Sequence, residues 1–182
     1  MEELFAENVV IPGIKSDSDI PLVLSSDLKI VFTLYGEVGT ISNVVKRLKD
    51  AGKIVFVNID MVEGFSSKNA VIDYMAATKA DGIISSKSAI LRYAKSKGFY
   101  TIHRFFVVDS AAYHSIGKQL EISQADFINI VPGWPKIISW TVAEHKKPVI
   151  AAGNVCDKQS ILDSLSAGAI AICSTNHGVW EL

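Results

Sequence analysis

Short, nearly uninterrupted apolar runs recur along the whole chain. They are Val9-Val10-Ile11, Ile30-Val31-Phe32-Thr33, Ile54-Val55-Phe56-Val57, Gly82-Ile83-Ile84, Tyr100-Thr101-Ile102, Phe127-Ile128-Asn129-Ile130, Val149-Ile150-Ala151 and Ile170-Ala171-Ile172. Continuous rather than alternating hydrophobicity is the mark of a strand covered on both faces, as in a parallel sheet. The segments between the runs carry a different period. Ile41, Val44, Val45 and Leu48 fall on one helical face, with Lys46, Arg47, Lys49 and Asp50 on the other. Val71, Tyr74, Met75 and Thr78 repeat the stripe, as do Ile161, Leu162 and Leu165. Gly52, Gly98 and Gly168 stand where helices should stop, and Asp17, Ser66, Ser88, Asp109 and Asp157 where helices should start.

Strand followed by helix, eight times, predicts a parallel sheet with right-handed crossovers. An open doubly wound sheet usually stops at five or six strands, so eight favour a small closed (β/α)8 TIM-type barrel. The 182 residues allow about 23 per unit, against roughly 30 in an ordinary barrel. The expectation is therefore a single barrel domain over residues 1–182, with space for only a short helix after Ser174.

Composition narrows the picture. Apolar residues make up 49% and charged residues 20%, which excludes a disordered chain or a coiled coil. No apolar run approaches a membrane span, and Met1-Glu2-Glu3 is unlike the basic start of a signal peptide. With only Cys156 and Cys173, the expected compartment is the reducing cytoplasm. The four histidines lack metal-ligand spacing, so no metal or cofactor is expected. Eighteen basic against nineteen acidic residues give a net charge of −1, which excludes a uniformly basic nucleic-acid binder.

In a TIM-type barrel the chemistry sits at the C-terminal ends of the strands. There the chain places Asn58-Ile59-Asp60, Ser85-Ser86-Lys87, His103-Arg104, Asn129, Pro132-Gly133, Gly153-Asn154 and Ser174-Thr175-Asn176. Gly153 and the Ser174-Thr175 turn suit a phosphate cradle, since glycine admits close backbone approach and a helix start offers free N–H donors. The plainer alternative is a strand end and a helix cap. Arg104 and Lys87 are candidates to neutralise an anion, or to close the barrel top by pairing with Asp60 or Glu63. Asp60 itself could accept ligand hydroxyls, act as a base or form a structural ion pair. His103 should face the helices if its neighbour Arg104 faces inward. Trp134 and Trp140 are expected in the core. No nucleophile is matched to a histidine, and the basic helix face at Lys46, Arg47 and Lys49 is read as solvated.

These stretches resemble the glycerol-3-phosphate-responsive antiterminator family. The likeness lies in Phe56 to Asp60 with Glu63-Gly64, in Gly82 to Ser88 and in Arg104 to Ser110. It continues through Val131-Pro132-Gly133, Ala151-Ala152-Gly153, Ala167-Gly168-Ala169 and Ser174-Thr175-Asn176 with Trp180. The chain departs from the family pattern at Asn129, Asn154 and Cys156. The resemblance implies a barrel that binds glycerol 3-phosphate and acts on leader mRNA to prevent premature termination of glycerol uptake genes. With the strand-end reading, the candidate ligand contacts are Asp60, Lys87, Arg104, Asn129, Gly133, Gly153, Asn154, Ser174 and Thr175. The first place to look for RNA contact is then the cluster Lys46, Arg47 and Lys49. A homodimer is left open, and the competing reading is a barrel enzyme acting on a small polyol or sugar phosphate.

Overall fold

The apolar runs pair in chain order. In the computed structural model, which describes residues 2–66 and 68–181, they form β1 (Val10–Ile14), β2 (Ile30–Thr33), β3 (Ile54–Asn58) and β4 (Gly82–Ser85). The second half supplies β5 (Tyr100–Phe106), β6 (Phe127–Val131), β7 (Val149–Ala152) and β8 (Ala171–Ser174). Every strand is parallel to the next, and β8 returns to β1 to close the barrel. The expected (β/α)8 architecture is the observed one. The helices are α1 (Glu2–Glu7), α2 (Ile20–Leu24), α3 (Ile41–Asp50), α4 (Asn69–Ala76) and α5 (Ser88–Ser96). They continue as α6 (Ser110–Ser123), α7 (Pro135–His145), α8 (Lys158–Ser166) and the expected short α9 (His177–Trp180).

Alternation along each strand builds two cores. Outward residues such as Val31, Val55, Ile83, Ile128 and Ile172 pack under the helices. Inward residues, among them Ile11, Phe32, Phe56, Ile84, Ile102, Phe127 and Ile150, fill the barrel. The N-terminal (bottom) end is closed by a feature the sequence reading lacked. Helix α1 inserts Phe5, fully buried, against Phe32, Phe56 and Phe127 with ring centroids 6.5, 5.6 and 4.7 Å away. Gly82 makes room for this aromatic layer, since a Cβ there would lie 2.2 Å from the Phe56 ring.

Polar groups at the bottom are tied down as well. Asp81 accepts the Val55 N–H at 2.8 Å and pairs with Lys49 at 2.7 Å. Asp126 accepts from the Thr101 N–H and hydroxyl, each at 2.9 Å, and pairs with Lys95 at 2.7 Å. Lys53 is buried, and its ammonium donates to the carbonyls of Ser26 and Leu28.

Helix boundaries follow local chemistry. Asp109 caps α6 and Asp157 caps α8, the latter in a capping box with Ser160. Gly52, Gly98 and Gly168 all have positive φ, as helix-ending glycines should. Ser66 and Ser88 are displaced as starts, because Lys68 and Lys87 occupy the cap positions of α4 and α5. Several residues expected in the core lie outside, Tyr74 on α4 among them. Leu162 is 48% exposed because α8 turns Ile161 and Ser164 inward, and Trp134 and Trp140 are nearly half exposed because α7 turns Ile138 and Thr141 inward.

Candidate functional site

The top layer of the barrel is filled unevenly. On the side of β1, β7 and β8 the inward residues are small: Gly13, Ala152 and Cys173. Across from them, β5 and β6 bring Arg104 and Asn129 into register as neighbours. The result is a cavity of about 260 Å³ open at the C-terminal mouth. Phe32, Ile84, Ala152 and Cys173 form its apolar floor, and residues 153–156 and 174–176 form its rim.

Arg104 is the only charged side chain lining it among the described residues. Its guanidinium lies 5.1 Å from the centroid of the Phe106 ring, and its buried Nε has no hydrogen-bond partner. Burial lowers its pKa, but an arginine stays cationic at any ordinary pH. Neither Asp60 nor Glu63 pairs with it among the described residues. Cys173 offers no counter-charge either, because burial pushes its thiol up to about 12 despite the opposing pull of Arg104. A partly desolvated cation without an anion carries a cost. The cavity is therefore electrostatically incomplete in the sense that favours an anionic guest.

Asn129 is buried beside the arginine and donates through Nδ2 to the Ile150 carbonyl at 3.0 Å. That bond orients the amide and leaves Oδ1 as an acceptor toward the cavity. On the rim, Gly153 and Asn154 are both left-handed, with φ of 69° and 59°. At Gly153 a Cβ would also come within 2.9 Å of Val131, so glycine fits twice over. The Ser174 hydroxyl is spent on the fold: it donates to the Val155 carbonyl at 2.7 Å and accepts from the Asn176 N–H. It holds the two rim segments together, and Asn176 adds a second tie to the Cys156 carbonyl.

The structure separates the other candidates from this cavity. Asp60 accepts from Ser85 Oγ, Ser86 N and Ser86 Oγ at 2.6–2.8 Å, and Lys87 stands 3.8 Å away. With its oxygens satisfied by the β4 loop, Asp60 acts as a clamp between β3 and β4, and Lys87 goes with it. Gly133 lies behind the rim, where a Cβ would meet Val155 at 2.7 Å and its N–H serves the Gly153 carbonyl. Lys46, Arg47 and Lys49 on α3 pair with Asp50, Asp17 and Asp81.

His103 faces the helix layer, as the inward turn of Arg104 requires. Its Nδ1 lies 3.0 Å from Ser123 Oγ and its Nε2 3.3 Å from the Ser86 carbonyl. The carbonyl calls for the proton on Nε2. Burial holds its pKa down near 4, with the Ser86 carbonyl and the Asp60 charge opposing that shift, so the ring is neutral at pH 7. Phe32, Ile84, Val155 and Cys173 were not singled out in sequence as lining residues. The inward parity they share with Arg104 along their strands is the signal that could have found Phe32, Ile84 and Cys173.

The fold and site define a small closed eight-stranded (β/α)8 barrel with an arginine-lined cavity at its C-terminal mouth. Comparison with known proteins makes it specific: residues 10–180 match the glycerol-3-phosphate responsive antiterminator family, and the chain belongs to it. This is a regulatory family of glycerol uptake rather than an enzyme family, so the enzymatic reading gives way to the regulatory one. The Escherichia coli (strain K12) protein YgcP, described as uncharacterized, is 42% identical over 181 residues, covering 98% of this chain and 95% of YgcP. The crystal structure of the glycerol uptake operon antiterminator regulatory protein from Listeria monocytogenes superposes with a TM-score of 0.91 at 29% identity over 94% of each chain. A glycerol uptake operon antiterminator-related protein from Thermotoga maritima gives 0.84 at 28%, covering 95% of this chain and 98% of its own.

Proposed function

We propose that this chain senses glycerol 3-phosphate in the mouth cavity and acts on leader mRNA to control termination within glycerol genes. The observation that carries the ligand reading is the half-buried Arg104, whose buried Nε lacks a partner in a cavity with no carboxylate among the described residues that line it. A phosphate monoester supplies the missing anion. The left-handed Gly153-Asn154 pair and Thr175 border the same space, and Asn129 Oδ1 takes a hydroxyl of the glycerol end. Asp60, Lys87, Gly133 and Ser174 act behind this surface, holding the loops in place.

For RNA, α3 remains the proposed contact. Lys46 and Arg47 are held only by exposed aspartates, in surface pairs worth about 0–1 kcal/mol that phosphates can replace. The proposed setting is the cytoplasm, where nascent transcripts are found; among the described residues no helix is long and apolar enough to cross a membrane.

Titration calorimetry with glycerol 3-phosphate tests the ligand reading. One site is expected, weakened roughly ten- to hundredfold in Arg104→Ala by loss of a charge-assisted hydrogen bond. No heat at millimolar ligand would reject it. Gel-shift titration against a glycerol-operon leader at fixed salt, with and without ligand, tests the RNA step.

A further inference from the structure

Helix α7 carries an exposed face that is its own complement. Ile138 and Thr141 point into the barrel wall and are fully buried, whereas Lys136, Ser139, Trp140, Ala143 and Glu144 are exposed. Spaced i, i+3, i+4, i+7 and i+8, these five share one side of the helix. The order along it is a cation, an indole and an anion. Lys136 Nζ lies 5.0 Å from the centroid of the Trp140 ring, and Glu144 accepts the Tyr113 hydroxyl at 2.7 Å. Trp140 is held upright by an edge contact with Tyr113, ring centroids 5.6 Å apart, and still leaves 46% of its surface exposed.

Beside this stripe runs an apolar groove between α6 and α7, into which Val108 and Trp134 project, 70% and 47% exposed. Half-exposed tryptophans beside an open apolar groove mark an interaction surface. The charges select the occupant. Lys136 is set against two carboxylates, Glu144 on the stripe and Asp109 in the groove. A polyanion such as RNA is poorly served by such a balance. A surface of this kind instead suits a partner carrying the same pattern reversed in direction.

We infer that a second copy of this chain docks on α7, the two helices antiparallel about a two-fold axis through Trp140. Lys136 and Glu144 each lie four residues, about 6 Å along the axis, from that tryptophan. The two-fold operation therefore sets each Lys136 against the partner subunit's Glu144, twice over. An isologous interface demands this self-complementarity. Ser139 and Ala143 are small and let the helices approach, and the indoles meet at the centre.

The test is the mass in solution, read by sedimentation equilibrium, with circular dichroism verifying the fold of each variant. The wild type should sediment at twice 19.7 kDa. Glu144→Lys and Lys136→Glu should each raise the dissociation constant about tenfold or more, by replacing two attractive pairs with two repulsive ones. Mixing these two single variants should restore dimers, because their faces are then complementary, and the double variant K136E/E144K should dimerise alone. A wild type that stays monomeric up to about 100 µM, or a Glu144→Lys variant as dimeric as wild type, overturns the proposal. So does a mixture that fails to rescue two folded monomeric variants. A wild-type monomer whose Trp140→Ala variant loses RNA in a gel shift would overturn it in favour of nucleic acid as the occupant.

Discussion

The two ends of the barrel are made from the same strands and solved differently. At the bottom, Phe5 plugs the barrel against three phenylalanines, and Asp81, Asp126 and Lys53 have backbone partners across the strand entries. At the mouth, small inward residues leave a cavity, two consecutive residues hold left-handed backbone, and a buried arginine nitrogen goes without a partner. Satisfied polar groups and dense packing stabilise, whereas a buried nitrogen without a partner does not. The lesson is that the bottom is built for stability, whereas the mouth leaves space and polar groups free for the proposed ligand.

That contrast can be broken by substitution. The largest effect is expected for Phe5→Ala, which removes the plug and should cost about 3–5 kcal/mol in urea unfolding. An effect below 1 kcal/mol would mean that α1 is a passive appendage. Acid should act next, through His103. Its pKa falls from 6.5 in the unfolded chain to about 4 in the fold, so the unfolded chain binds the extra proton between those values. Stability should be complete above pH 6.5 and decline by about 3 kcal/mol as pH falls to 4. His103→Gln should flatten that slope; an unchanged pH profile would show that the imidazole is not the group responsible.

Asp126→Ala comes third. It removes the acceptor of two Thr101 hydrogen bonds and the Lys95 pair, at about 1–2 kcal/mol for a half-buried group. The smallest effect should come from the mouth. Arg104→Met should change thermal stability by no more than about 0.5 kcal/mol, because it exchanges a poorly satisfied cation for an apolar chain of similar length. The same variant should lose glycerol 3-phosphate binding in calorimetry. Strong destabilisation by Arg104→Met would erase the distinction between the two ends.

Much of this architecture is written in one dimension. Continuous apolar runs pointed to strands covered on both faces, eight of them favoured closure, and the period-two rule put Arg104 and His103 on opposite faces without saying which of them turns inward. The limits are equally physical. Helix α1, of six residues, is too short to hold together alone, and it exists because Phe5 finds an aromatic socket assembled from β2, β3 and β6. Strand β5 runs on to Phe106, past the expected Ile102, because β6 offers it partners as far as Val131.

Asp60 and Lys87 stand at strand ends in sequence just as Arg104 does. Only the folded β4 loop, with Ser85 and Ser86 close enough to satisfy Asp60, decides that this carboxylate clamps two strands. Trp134 and Trp140 have core composition, but the rotation of α7 that buries Ile138 turns them out. The sequence by itself determined the barrel, its order of elements and the end that carries chemistry, because these follow from local periodicity and chain connectivity. Which polar groups face the cavity and which are spent on one another was settled only by tertiary structure, since hydrogen-bond satisfaction depends on neighbours that lie more than twenty residues away in the chain.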